Sequence, residues 1–172
     1  MLYSTTLVYD YMMMNNKISV MFVCTGNICR SPMAEAVFQY FVDEAGLSER
    51  FIVASSATSD WHVGERPHIG TRKVLKQNNI YLNPEKRAQF LRKADYNQSD
   101  WVIVMDESHL RDLKWHGNKA TLLMGYVPEG EKEYGQDVPD PYYSGGFDCV
   151  FEMVYEGCKR LFKNICQDYD II

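Results

Sequence analysis

Four short runs, Ile18–Val23, Phe51–Ala54, Trp101–Met105 and Thr121–Met124, are apolar at nearly every position, with little polar alternation. Runs of this kind, rich in β-branched and aromatic residues, predict strands covered on both faces, as in a parallel sheet. Between them the apolar period lengthens to three and four. Ser31-Pro32 is the expected start of a first helix, with Ser as N-cap and Pro at the first helical position, and Met33, Val37, Tyr40 and Phe41 repeat on one face up to Gly46. The last segment carries the clearest amphipathic stripe: Phe147, Val150, Phe151, Val154, Tyr155, Cys158, Leu161, Phe162 and Ile165. This alternation predicts an α/β fold: a three-layer sandwich with a small, central four-stranded parallel sheet flanked by helices and joined by right-handed crossovers. Ligands in such folds bind beyond the carboxyl ends of the strands. The stretch from Gly125 to Gly146, punctuated by Pro128, Gly130, Gly135, Pro139, Pro141 and Gly145, is expected to be a long functional loop.

At 172 residues the chain has room for one domain. Residues 17–172 are read as that domain and 1–16 as an N-terminal extension, because Met12, Met13 and Met14 followed by Asn15 and Asn16 resemble a join. Those first 16 residues hold no Lys or Arg and are interrupted by Asp10, unlike a signal peptide. The 46% hydrophobic and 24% charged content excludes a disordered chain, and no apolar run is long enough to span a bilayer. A net charge of −5 with scattered cations makes nucleic acid an unexpected partner, and no membrane partner is expected either. Five cysteines, an odd number in a chain that needs no staples, suggest a reducing, cytoplasmic setting. Neither their spacing nor that of the histidines makes a closed metal site, so no metal or other cofactor is expected.

The chemistry gathers directly after the first strand, in Cys24-Thr25-Gly26-Asn27-Ile28-Cys29-Arg30-Ser31. A turn from strand to helix aims successive backbone N–H groups into a concavity and adds the positive end of the helix, which suits an anion. Gly26 and Asn27 tolerate the left-handed backbone of a tight cradle. Arg30 supplies a planar fork for two oxygens of a phosphate, and the same positive surroundings favour a thiolate at Cys24. Neither a Walker loop nor a Gly-x-Gly-x-x-Gly fingerprint is present. A distant carboxyl, Asp140 between Pro139 and Pro141, is a candidate proton donor to a leaving oxygen, its backbone restricted on both sides. Asp106 opens a predicted helix as a possible N-cap. Trp61, Tyr142 and Tyr143 stand in Gly-, Pro- and charge-rich loops and are candidate aromatic walls.

The segment V-C-T-G-N-I-C-R-S-P-M-A-E-A-V-F resembles the phosphate-binding loop and first helix of the low-molecular-weight protein tyrosine phosphatases. Ser59-Asp60-Trp61 with Gly64 resembles that family's variable recognition loop, Val104-Met105-Asp106-Glu107-Ser108 its third strand and helix start, and Asp140-Pro141-Tyr142-Tyr143 its general-acid loop. The resemblance implies hydrolysis of phosphotyrosine in proteins or peptides by a monomeric enzyme, with inorganic phosphate as product. It implies Cys24 as nucleophile, Arg30 and the loop Thr25, Gly26, Asn27, Ile28 and Cys29 as phosphate ligands, and Asp140 as acid then base. It also implies Ser31, Ser55 and Asp106 as supporting residues, and a reversible, protective Cys24–Cys29 disulfide. Many relatives place a histidine before the third strand. Here none lies between His68 and His109, and Pro84-Glu85-Lys86-Arg87 stands there, so the network under the loop must differ.

Three alternatives remain at this point. A phosphoarginine phosphatase resembles the same loop but carries Thr where Ile28 stands. An arsenate reductase of this fold relays electrons through a further cysteine pair, and no cysteine occurs between Cys29 and Cys149. A silent phosphate-binding module would need neither Cys24 nor Asp140.

Overall fold

The computed structural model describes residues 17–171; the N-terminal extension expected at 1–16 lies outside them. Strands β1 (Ile18–Cys24), β2 (Phe51–Ala57), β3 (Trp101–Val104) and β4 (Ala120–Leu122) form one parallel sheet in the order β2-β1-β3-β4. Helices α1 (Arg30–Glu44), α2 (Ile69–Gln77) and α6 (Phe147–Asp168) cover one face. The shorter α3 (Lys93–Gln98) and α4 (Glu107–Leu113) cover the other, and a single-turn α5 spans Pro141–Ser144.

The alternation of side chains along β1 explains its unbroken apolar run. Val20, Phe22 and Cys24 pack with Met33 and Val37 of α1 and Val154 and Leu161 of α6. Met21 and Val23 face the opposite way, onto Leu91, Tyr96 and Leu113. Phe38 of α1 anchors the larger core, its ring 5.5–5.9 Å from those of Phe22, Phe51 and Phe162, and its truncation to Ala is worth about 3–5 kcal/mol. On α6, a Cβ at Gly157 would meet Leu123 Cγ at 2.7 Å. Glycine there lets the helix close on the turn after β4, from which the acid-bearing loop departs.

Several boundaries move from those expected, each for a physical reason. Strand β2 continues past Ala54 through Ser55 and Ser56. Their buried hydroxyls have partners: Ser55 donates to Glu35, and Ser56 to the sulfur of Met21. Strand β3 stops at Val104. Strand β4 ends at Leu122, and Leu123–Tyr126 tighten into a 3-10 turn. Ser31 is not the cap of α1. The helix begins at Arg30 behind Cys29, which makes no side-chain cap bond, because the Ser31 hydroxyl is turned inward to other partners. Pro32 is then the third residue, still among the positions whose N–H lacks an acceptor within the helix. The long loop is broken by α5, with Asp140 as its N-cap and Pro141 in its first turn.

The sheet order places a topological switch between β1 and β3. From β1 the chain crosses outward to β2, then returns past β1 to β3 and β4. The connections leaving β1 and β3 therefore diverge and open a crevice at their carboxyl ends. Cys24 ends β1, and Asp106 follows β3 by two residues.

Candidate active site

Cys24 terminates β1 at the edge of the crevice, 3% exposed. The next residues turn sharply, and Asn27 holds a positive φ of 53°. Asparagine enters the left-handed region more readily than most residues, and here its side chain fixes the turn from below. Asn27 Nδ2 donates to Ser31 Oγ and to Ser55 Oγ, both at 2.8 Å, while Oδ1 accepts from the amide of Gln89 at 3.0 Å. Gly26 does not share the left-handed conformation expected of it. It is small for another reason: a Cβ there would lie 2.8 Å from Cδ2 of His62.

The same network reaches the nucleophile through Ser31. Because the Asn27 amide donates to Ser31 Oγ, the Ser31 hydroxyl proton faces two acceptors, Cys24 Sγ at 3.0 Å and the Ser56 carbonyl at 3.4 Å, of which the sulfur is the nearer. Among the described residues, the amides of Gly26, Asn27, Ile28 and Cys29 donate to no carbonyl or side-chain oxygen. Four free donors ahead of a helix N-terminus form a concave positive surface.

Arg30 closes the cradle, almost fully buried. Nη1 donates to Asp106 Oδ2 at 2.7 Å and to the Val138 carbonyl at 3.2 Å. Nη2 donates to Asp140 Oδ2 at 2.8 Å and more weakly to Thr25 Oγ1 at 3.4 Å. Its Nε is buried with no partner among the described residues. Asp106 is the expected N-cap, its Oδ1 accepting from the His109 amide at 3.1 Å at the start of α4. Burial raises the Asp106 carboxyl, but the hydroxyl of Ser108, the neighbouring His109 and hydrogen bonds from Arg30 and the His109 backbone together outweigh it and hold it below the ordinary carboxylate value.

Asp140 reaches the pocket because its loop is tied down on both sides. The Val138 amide donates to the Met105 carbonyl just past β3, Asp137 Oδ1 accepts from the amide of Glu107, and Asp140 Oδ1 accepts from that of Tyr142. The Asp140 side chain is 30% exposed, open to solvent from one side.

Cys24, Thr25, Gly26, Ile28, Cys29, Arg30, Trp61, Asp140, Tyr142 and Tyr143 line one cavity of about 80 Å³. Asn27, Ser31, Ser55 and Asp106 stand behind it, so the Asn27 side chain braces the loop and does not line the cavity. Trp61 is 71% and Tyr143 82% exposed, which makes them rim residues. A larger groove of about 470 Å³ beside Arg66, Arg72 and Lys76 contains no nucleophile, so size does not mark the chemistry. Cys29 lines the cavity, yet burial, with the nearby Cys24 and Asp140, pushes its thiol up to about 12.

Four further residues belong to the site. His62 lines the cavity and packs 5.6 Å from the ring of Tyr142; it sits one residue beyond Trp61 in the recognition loop. Lys86 occupies the ground where a histidine is absent. Its Nζ lies 2.6 Å from Glu35 Oε2 and donates to the Ser55 carbonyl at 3.2 Å. Glu35 in turn accepts from Ser55 Oγ, so a chain of contacts runs from Lys86 through Glu35, Ser55, Asn27 and Ser31 to Cys24. His109, fully buried, lies 3.0 Å from Thr25 Oγ1. The Asp106-x-x-His109 spacing was its only sequence signal, and it reads equally as a helix cap.

The profile of the family described as low molecular weight phosphotyrosine protein phosphatase matches residues 19–170. A protein of that name from Sus scrofa is 42% identical over 149 residues, covering 83% of this chain and 89% of the pig protein. The crystal structure of YfkJ from Bacillus subtilis superposes with a TM-score of 0.82 at 35% identity, covering 88% of this chain and 96% of that one. A Drosophila arginine phosphatase superposes at 0.76 with 30% identity, covering 85% and 96%.

Proposed function

The chain belongs to the low molecular weight phosphotyrosine protein phosphatase family, and we propose that residues 17–172 hydrolyse phosphotyrosine through a phosphoryl-cysteine intermediate. The observation that carries this reading is the meeting of Cys24 and Arg30 of one loop with Asp140, 110 residues beyond Arg30, around one cavity. The phosphoryl group is held by the free amides of the loop and by the guanidinium of Arg30, whose unpartnered Nε faces no competing acceptor. Cys24 Sγ attacks phosphorus while the bond to the phenolic oxygen breaks, and protonated Asp140 gives its proton to that oxygen. In the second half Asp140, now ionised, takes a proton from water. The resulting hydroxide attacks phosphorus, the S–P bond breaks, and thiolate and inorganic phosphate are regenerated.

The walls support an aryl ester. Tyr142 and Tyr143 meet edge to face at 5.0 Å, Trp61 stands on the rim, and Ile28 adds an apolar, buried contact. An apolar Ile28 suits a phenyl ring better than the cationic guanidinium of phosphoarginine. An electron relay of the arsenate reductase kind has no cysteine pair here, since Cys158 and Cys166 are both 0% exposed in the α6 core. All five cysteines are free, which suits a reducing compartment.

Steady-state hydrolysis of para-nitrophenyl phosphate and of phosphotyrosine and phosphoarginine peptides, in excess EDTA, tests the reading. Turnover of both aryl substrates, lost in Cys24→Ser and exceeding that of phosphoarginine, is expected. Turnover retained in Cys24→Ser, or faster on phosphoarginine, would overturn it.

A further inference from the structure

His109 is a buried titratable side chain that the proposed reaction does not use, yet it touches the phosphate loop. It occupies the first turn of α4, with Nε2 3.0 Å from Thr25 Oγ1 and Nδ1 3.1 Å from Asp106 Oδ1, the latter close but not aligned as a hydrogen bond. The charged groups around it are Asp106, Arg30 from α1, Asp112 on its own helix and Asp140 from the acid loop. Burial is the largest influence and favours the neutral ring.

A neutral imidazole has one donor and one acceptor. A bare Nδ1 facing the Asp106 carboxylate would be repelled, so the proton sits on Nδ1 and Nε2 accepts. Thr25 must then donate its hydroxyl proton to Nε2, which leaves the Thr25 oxygen lone pairs for Arg30 Nη2 at 3.4 Å. Asp106 Oδ2 accepts from Arg30 Nη1 at 2.7 Å. The result is a closed circuit, from Arg30 through Thr25 to the His109 ring and from the His109 backbone amide through Asp106 back to Arg30, that holds both arms of the guanidinium.

Building on the reading of Arg30 as the phosphate clamp, we infer that His109 is a positioning residue that orients Thr25 and, through it, the Arg30 fork, and so sets affinity for the phosphoryl group. It touches no reacting atom. Its effect passes through the residue next to the nucleophile and through the arginine that meets the anion.

Calorimetric titration with inorganic phosphate tests this without requiring turnover, so a failure of the proposed reaction is read separately from wild-type activity. His109→Phe is expected to weaken phosphate binding about tenfold, equivalent to one good hydrogen bond. Thr25→Val should do the same, and the double variant no more, because both cut one arm. His109→Gln, whose amide oxygen can accept from Thr25, should restore affinity to within about threefold. With para-nitrophenyl phosphate the losses should fall on KM, with kcat changed less than about threefold. Additive losses in the double variant, or unchanged phosphate affinity in Thr25→Val, would overturn the inference. Thr25→Val leaves the buried ring in place, so the test stands even where His109→Phe does not fold.

Discussion

Asp140 Oδ2 accepts a hydrogen bond from Arg30 Nη2 at 2.8 Å: the proton donor is paired with the cation that binds the phosphoryl group. An incoming anion must share or replace this contact, and a carboxylate beside the cradle repels it. Removing that charge with Asp140→Asn is therefore expected to tighten binding of inorganic phosphate about threefold or more. The same substitution should lower kcat/KM for aryl phosphates with poor leaving groups by about 10²–10⁴ and spare it for those with good ones, while kcat falls for all of them because the second half loses its base. Inhibition constants measured beside a leaving-group series check both. Weaker phosphate binding, or equal losses of kcat/KM along the series, would contradict the pairing.

Asn27 contributes a left-handed backbone and three hydrogen bonds. Asn27→Gly keeps the backbone freedom and loses the bonds, whereas Asn27→Ala loses both. Activity should fall alike in the two, but Asn27→Ala should be less stable by about 1 kcal/mol, the cost of a Cβ in that conformation. Urea unfolding of both variants gives the difference, and equal stabilities would remove the strain argument.

Oxidation at the loop should depend steeply on pH. With its thiol pushed up to about 12, Cys29 is almost entirely protonated at neutral pH. On the protective route expected from the resemblance, peroxide would convert the Cys24 thiolate to a sulfenic acid, and the Cys29 thiolate would displace its hydroxyl group as hydroxide to form the disulfide. The rate of that second step should climb up to about tenfold per pH unit. Mass spectrometry of Cys24–Cys29 disulfide against trapped sulfenic acid, from pH 6 to 8, measures it. Sulfinic acid on Cys24 with no disulfide at any pH would reject Cys29 as the protecting thiol.

His109 is held below the ordinary histidine value, mainly by burial, so the unfolded chain takes up a proton where the native state does not. Its contribution to stability is present above about pH 6.5 and is lost as pH falls through that value toward the native one, at no more than about 1.4 kcal/mol per pH unit. Between pH 7.5 and 5.5 the wild type should lose more stability in urea than His109→Gln. An equal loss would contradict a buried neutral ring.

The parts of the site that are local in the chain are the parts that can be read from it. Cys24 to Ser31 is a strand end, turn and helix start, so its cradle follows from residue types over eight positions. The sheet was legible because its strands are apolar on both faces. Asp140 stands out by its flanking prolines and by family resemblance, but its bond to Arg30, across 110 residues, has no local signature. Ser31 looked like a cap because the pattern of caps is local, whereas its real partners, Asn27 and Cys24, depend on how the turn closes. Strand β2 was cut short because serine reads as a boundary unless its buried partner is known. Lys86 was visible only as part of a small basic cluster; its pairing with Glu35 depends on α1 and the segment before β3 meeting under the loop.

The central claim is that phosphate is carried on Cys24, and trapping that adduct tests it most directly. Asp140→Ala, mixed with excess para-nitrophenyl phosphate, keeps a reaction that needs little help in leaving-group departure but loses the base for the second half. Acid quenching followed by peptide mass spectrometry should find one phosphoryl group on the peptide bearing Cys24, attached at its sulfur. Phosphate on another residue, or continued turnover with no adduct on Cys24, would contradict the account.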